Sequence, residues 1–239
     1  MKNLVIGNTS QLSHFFPDEY EKISSRNINF DYYASTYYNR IFFTFGENRT
    51  FIENDIDNFI QINVAYTLYL LLFFKNKCNK LIIYGTSELW NKYNGEVSID
   101  FSFWHNSSPY ILSKLILVNA IKTAKFKNVI IIHPFNFNSK YRKGKFLFGK
   151  INDSISKKKQ IEIGDTNFNR DIVSPEYVVE RSIKATSDEL VGSGKLINIK
   201  DHIKNMYIKE GMIFEDYVTE NYSLNLNLKR NEFYSKNIL

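Results

Sequence analysis

One cysteine, Cys78, is all that this chain of 239 residues carries. That excludes a disulfide framework and any cysteine-rich metal site, and it suits a reducing cytoplasm. The four histidines show no metal-ligand spacing, so no metal centre is expected. Long apolar runs are lacking as well. The most apolar stretch, 65–74, is interrupted by Tyr66 and Tyr69 and falls short of the ~20 residues of a bilayer-spanning helix. Met1-Lys2-Asn3 leads straight into the short Leu4-Val5-Ile6 without a signal-peptide core, so a cytoplasmic protein with no membrane partner is expected. A basic stripe is also missing. The formal charge of +6 comes from dispersed lysines, and the two tight clusters, 140–145 and Lys157-Lys158-Lys159, read as solvated loops. No nucleic-acid partner follows from them, and steering of a small anionic substrate explains the charge equally well. With no internal repeat or low-complexity tract, the length fits one large α/β domain, or a nucleotide-binding domain with a small appendix.

What is present is an alternation of apolar strands and helices. Leu4-Val5-Ile6 followed by Gly7-Asn8-Thr9-Ser10-Gln11-Leu12-Ser13 reads as strand, tight turn and helix start, the place where a Rossmann-type domain receives a pyrophosphate. Pro17 keeps that helix short. Further strands are predicted at 22–25, 40–44, 81–84 and 129–132, and helices at 58–74 and 110–122, the latter opened by Pro109. The order predicts a doubly wound parallel sheet with its ligand at the carboxyl ends of the strands. Thr86, Tyr110 and Asn136 all fall at or just beyond such ends. After Ser139 the pattern loosens, which places a dinucleotide-binding Rossmann domain at 1–136 and a smaller substrate-side lobe, interleaved with it, at 137–239.

Tyr110-Ile111-Leu112-Ser113-Lys114, downstream of Thr86-Ser87-Glu88, carries the chemistry. On a helix the i, i+4 spacing puts phenol and ammonium on one face. The ammonium then lowers the pKa of a phenol that otherwise titrates near ~10, making it a usable acid or base. Each residue also has a plain structural reading: Tyr110 as an interfacial aromatic, Lys114 as a solvated helix charge, Thr86 and Glu88 as a capped turn.

In chain order the landmarks resemble an extended short-chain dehydrogenase/reductase of the nucleotide-sugar epimerase and dehydratase group, over 4–198. Asn63-Val64-Ala65-Tyr66-Thr67 is similar to the family's Asn-Val-x-Gly-Thr, with Tyr66 where glycine is usual. Ile83-Tyr84-Gly85-Thr86-Ser87-Glu88-Leu89-Trp90 resembles Ser-Thr-Ser-Glu-Leu-Tyr-Gly, as in GDP-mannose 4,6-dehydratases, and Ser107-Ser108-Pro109-Tyr110 resembles Arg-Ser-Pro-Tyr. His133-Pro134-Phe135-Asn136, Arg170-Asp171-Ile172-Val173 and Gly192-Ser193-Gly194 follow in place of Arg-Pro-Phe-Asn, Arg-Asp-Phe-Val and a late Gly-x-Gly.

The resemblance implies an NAD- or NADP-dependent enzyme of polysaccharide biosynthesis, a homodimer, acting on a nucleotide-sugar substrate at C4. Tyr110 would relay the proton, Lys114 would hold the nicotinamide ribose, Thr86 would bind the reacting oxygen, and Glu88 would act as a second acid or base. Gly7, Thr9, Ser10, Gln11 and Leu12 would cradle the cofactor, and Ser87, Asn136 and Arg170 would contact substrate. Arg26 reads either as a receptor for a 2′-phosphate, favouring NADP, or as a surface arginine. Ser10 and Ser13 depart from the glycine fingerprint, and the stretch after Asn136 is short for the family. These departures favour ketoreduction of a 4-keto sugar over 4,6-dehydration or epimerisation. They also keep open a non-catalytic dinucleotide-binding sensor.

Overall fold

Leu4-Val5-Ile6, Ile41-Phe42-Phe43, Leu81-Ile82-Ile83 and Ile130-Ile131-Ile132 are apolar on successive residues, the pattern of strands covered on both faces. In the computed structural model, which describes residues 1–50, 56–103, 108–142, 144–225 and 231–236, they become the centre of the molecule. The chain runs β1 (Asn3–Ile6), a 3-10 turn Leu12–Phe15, β2 (Glu21–Ile23), α1 (Phe30–Ala34), β3 (Tyr38–Phe43), α2 (Ile56–Ile60), a π-helical segment Gln61–Tyr66, α3 (Thr67–Phe74), β4 (Cys78–Tyr84), β5 (Gly95–Val97), α4 (Pro109–Ala124) and β6 (Val129–Pro134). It continues with β7 (Asn136–Phe137), α5 (Leu147–Lys157), β8 (Ile161–Ile163), β9 (Asn169–Val173), α6 (Pro175–Lys184), β10 (Glu189–Val191), β11 (Leu196–Asn198), α7 (Ile199–Lys209), α8 (Phe214–Tyr217), β12 (Val218–Glu220) and β13 (Phe233–Ser235).

Among the described residues a six-stranded parallel sheet has the order β10-β6-β4-β3-β1-β2. Ile6 lies opposite both Ile23 and Phe43, Phe43 opposite Ile83, and Tyr84 opposite Ile132. The strands therefore end in register, and the residues after them, Gly7, Ser24, Thr44, Gly85 and Phe135, gather along one edge. This is the expected Rossmann-type α/β architecture, and β1 is the switch point from which the chain winds both ways.

The first half is shorter than the general pattern. A full half carries a third strand outside the second. Here the chain leaves β2, passes through the five residues of α1 and enters β3 on the other flank of β1, so the three residues of β2 form the sheet edge. Sequence reading expected a trimmed stretch after Asn136; among the described residues the amino-terminal half also has no strand outside β2.

The predicted helix at 58–74 forms with an extra twist, as α2, the π segment and α3 together. From Ile56 to Phe74 its 19 residues are long and apolar enough to cross a membrane, which exceeds the ten-residue stretch that the sequence singled out. One face of it is buried, with Leu70, Leu71 and Phe74 inaccessible to solvent, while Ile56, Tyr69 and Leu72 are exposed on the other. A second hydrophobic cluster joins Ile151, Ile163, Ile203, Tyr207, Phe214 and Val218, whereas Val178, Val179 and Val191 return to the main core.

Candidate active site

Gly85 follows β4 because nothing larger fits there: a Cβ would stand 2.3 Å from Nδ1 of His133. Thr86 is extended and caps the 3-10 turn Ser87–Trp90, its Oγ1 accepting the Glu88 N–H at 3.3 Å. The same side chain lies beside the Tyr110 phenol and acts to lower its pKa. Thr86 is thus both the cap and a neighbour of the phenol. Ser87 is buried beneath the turn.

Pro109 opens α4 at its first position, Tyr110 follows, and Lys114 stands one turn on. Ser107, which the sequence reading placed at this entry, lies outside the described residues. Lys114 is buried, and its Nζ donates to the Tyr84 carbonyl at 2.9 Å. Burial lowers its ammonium to about 8. The phenol does not behave as the spacing suggested. Burial pushes Tyr110 above its usual value. Against burial act the Thr86 side chain and the positive charge of Arg142, while Glu88 adds to the rise. The opposing cation is therefore Arg142 rather than Lys114, and the phenol is held protonated.

Asn63, in the π segment, ties the neighbouring pieces together. Its Oδ1 accepts the Glu47 N–H at 2.7 Å, and its Nδ2 donates to the Glu47 carbonyl at 2.9 Å and to Ser113 Oγ at 3.0 Å. Ser113 Oγ in turn donates to the Tyr110 carbonyl at 2.7 Å. One buried amide thus sets the loop after β3 against the first turn of α4. A π-helical turn at a functional site is a recurrent device.

Glu88 accepts from Asn91 Nδ2 at 2.9 Å. Burial raises its pKa, and Arg170 and Asn91 oppose the rise. Arg170, on β9, anchors through Nη1 to the carbonyls of Asn169 and Asn231 at 2.9 and 3.2 Å. Arg142 sits over the Phe146 ring at 3.8 Å. The structure thus gathers Thr86, Glu88, Tyr110 and Arg170, all expected, and adds Arg142. The sequence hid Arg142 in the basic run 140–145, of which Lys143 is outside the described residues. Asn136 lies exposed on β7, opposite Ile172.

At the other end of the crevice, Gly7 has φ +113°, and a Cβ there would stand 2.7 Å from the Phe45 nitrogen, so this glycine is required. The serines at the other fingerprint positions fold inward. Ser13 Oγ donates to the carbonyls of Asn8 and Ser10 at 2.9 and 2.7 Å, and Ser10 Oγ accepts the Ser13 N–H at 3.2 Å. Gln11 accepts from Ser139 Oγ at 3.0 Å, and Tyr141 stacks on His14 at 3.9 Å, so the stretch after β7 straps across this turn. Leu12 enters the core; Thr9 and Arg26 are exposed, and the Arg26 N–H donates to Ser24 Oγ at 3.1 Å. A cleft of about 660 Å³ beside the strap is lined by Phe15, Tyr141, Pro175, His202 and Met206 and holds none of the catalytic candidates.

His133 is fully buried behind Gly85, edge-on to Trp90 at 4.9 Å, and among the described residues neither ring nitrogen is hydrogen-bonded. It is a core residue and no substrate contact. Burial, aided by Lys122 and Lys114 against the Thr86 backbone, lowers its pKa to about 3. The native state therefore holds the neutral ring, and that contribution is intact above the ordinary histidine value of ~6.5 and shrinks as pH falls toward the folded value. His133→Leu is expected to lose this slope, so that the parent's stability drops by about 2 kcal/mol more than the variant's between pH 7 and pH 5. Urea unfolding at the two pH values measures the difference, and parallel curves would refute it.

No family model and no curated protein matches the sequence. Solved structures do resemble the fold. RMD from Pseudomonas aeruginosa complexed with NADPH is 15% identical, with a TM-score of 0.78 over 99% of this chain and 90% of that one. A UDP-glucuronic acid 4-epimerase from Bacillus cereus in complex with NAD is 16% identical, with a TM-score of 0.75 over 99% and 90%. A double mutant of DesIV, a dTDP-glucose 4,6-dehydratase from Streptomyces venezuelae, is 15% identical, with a TM-score of 0.74 over 99% and 88%. At such identities the likeness establishes a shared fold.

Proposed function

We propose that this chain is an NAD(P)-dependent oxidoreductase acting at C4 of a nucleotide-linked sugar, in the direction of ketone reduction. The observation that carries the reading is Tyr110, half-buried and held protonated by burial, beside Thr86 at the carboxyl edge of a Rossmann sheet. A nascent alkoxide needs a proton donor and a second hydrogen bond at one oxygen, and this pair supplies both. The fold neighbours crystallised with NAD or NADPH support the cofactor class.

The residues fit such a cofactor. The Gly7 turn opens toward the switch point, the Ser13 hydroxyl is turned into the loop's own carbonyls, and a buried ammonium waits beside Gly46, whose added Cβ would stand 3.7 Å from Lys114 Nζ. Gly7, Thr9, Ser10, Gln11 and Leu12 would hold the pyrophosphate, Arg26 a 2′-phosphate, and Lys114 the nicotinamide ribose. Bound nicotinamide supplies the hydride chemistry. Tyr110 releases a proton to the sugar oxygen, Thr86 orients that oxygen, and Arg170, Arg142 and Asn136 face the anionic substrate.

Titration of NADPH, followed by nicotinamide fluorescence, and then addition of a 4-keto nucleotide sugar tests the reading. NADPH oxidation is the expected result. Binding without oxidation would leave the non-catalytic sensor in its place. A second reading, 4,6-dehydration, draws on Glu88, whose carboxyl acts on Tyr110 electrostatically. Dehydration needs a base for the C5 proton, so Glu88→Gln would then stall with reduced cofactor bound. Under ketoreduction the variant keeps its rate within about tenfold, since Tyr110 supplies the proton, and that is the outcome expected.

A further inference from the structure

Tyr66 stands where the resembling family carries glycine, and the fold gives it an unusual reach. From the π segment its hydroxyl donates to the Ser25 carbonyl, just beyond β2. On the way its ring passes Phe45, just beyond β3, at 5.8 Å, and it stacks with Tyr69 at 6.3 Å. In the sheet β1 lies between β3 and β2. The phenol therefore spans the carboxyl edge from β3 to β2, across the end of β1.

A dinucleotide on this fold places its pyrophosphate at the turn after β1 and its adenosine ribose at the end of β2. The adenine must then lie along the path that Tyr66 takes. The loop 24–26, which carries the ribose-reading positions, flanks a three-residue edge strand that has no outer neighbour among the described residues. Among the described residues this loop is tied by the Arg26 N–H to Ser24 Oγ, at 3.1 Å, and by the Tyr66 hydroxyl. With no strand outside β2 among the described residues, Tyr66 brings an aromatic face and a hydrogen bond to this edge from the opposite side.

We infer that Tyr66 is a specificity-determining residue of the cofactor crevice: its ring forms the wall on which the adenine lies, and its hydroxyl fixes the loop that reads the adenosine ribose. The inference rests on the NAD(P) reading and assigns to this chain its own way of holding the adenosine half.

The experiment titrates the parent, Tyr66→Phe and Tyr66→Ala with NADPH, NADH and reduced nicotinamide mononucleotide, which lacks adenosine, with urea midpoints to confirm folding. Tyr66→Phe keeps the ring and loses the hydroxyl. It is expected to weaken NADPH by roughly three- to tenfold, with a smaller loss for NADH. Tyr66→Ala, losing the stacking face as well, is expected to weaken both dinucleotides about tenfold or more. The mononucleotide should bind all three proteins alike. Equal losses for mononucleotide and dinucleotides would make Tyr66 a structural residue and overturn the inference. So would unchanged dinucleotide affinity in both variants, or tighter binding by Tyr66→Ala, which would make the ring an obstruction. If Tyr66→Ala does not fold, the Tyr66→Phe ratios decide alone. A parent that binds neither dinucleotide overturns the NAD(P) reading itself, a result distinct from all of these.

Discussion

Tyr110→Phe is expected to lower turnover by about 10²-fold or more while NADPH affinity stays near the parent's. The substitution removes the phenolic proton and leaves the ring, which packs edge-on to Phe59 at 6.1 Å, in place. Stability should therefore change little, and the loss should fall on kcat. The pH profile gives a second readout. Because burial holds the phenol above its ordinary value, the donor form persists across the neutral range, and the parent's reductive rate should stay flat there and fall only on the alkaline side. Turnover within a few-fold of the parent's, or a rate that rises steeply with pH through neutrality, would remove Tyr110 from the proton path.

The direction of that pKa shift is where sequence reasoning reached its limit. The spacing of Tyr110 and Lys114 is legible, since i, i+4 on a helix needs only a periodicity and a Pro109 start. What the spacing cannot show is where the ammonium points. Lys114 turns to the Tyr84 carbonyl, and the cation that acts on the phenol comes from Arg142, in a stretch that reads as solvated lysines. A basic run does not reveal which member is turned inward; burial against Phe146 does.

The central strands were legible for a physical reason: sheets covered on both faces demand consecutive apolar residues, and such runs stand out. Short strands pairing with remote partners do not. Nothing in Gly95-Glu96-Val97 announces that it will align with Phe233-Tyr234-Ser235. The missing edge strand was illegible for the opposite reason. Landmarks in family order mark what is kept, and the gap between β2 and β3 contains ordinary polar and aromatic residues. The π segment was read as plain helix because its apolar pattern satisfies both.

Asp171→Ala is expected to cost about 3–5 kcal/mol of stability, from the loss of a buried carboxylate on which the 193–194 loop and the end of β13 converge. Asp171 is fully buried and accepts from Ser193 N and Oγ at 2.7 and 2.6 Å, from Gly194 N at 3.2 Å, and from Ser235 N and Oγ at 3.0 and 3.2 Å. Two motifs that read as separate resemblances, Arg170-Asp171 and Gly192-Ser193-Gly194, are thus one node. Gly192 is glycine because a Cβ would stand 2.4 Å from Asp171 Oδ2 and 2.5 Å from Ser235 Oγ. Alanine at 171 leaves buried N–H donors facing a methyl group, and each unmet donor costs on the order of 1–3 kcal/mol. The damage also travels. Ser235 ends β13, which pairs with β5, and Asn231 just before it donates to the Asn91 carbonyl and accepts from Arg170. Releasing that tail loosens Arg170 and Asn91, the two groups that hold the Glu88 carboxylate. Hydrogen exchange should accordingly quicken at 95–97 and 233–236 before it does at β4 and β6, and the urea midpoint should fall with it. A loss below about 1 kcal/mol, the size of an ordinary single hydrogen bond, would show that the node is dispensable.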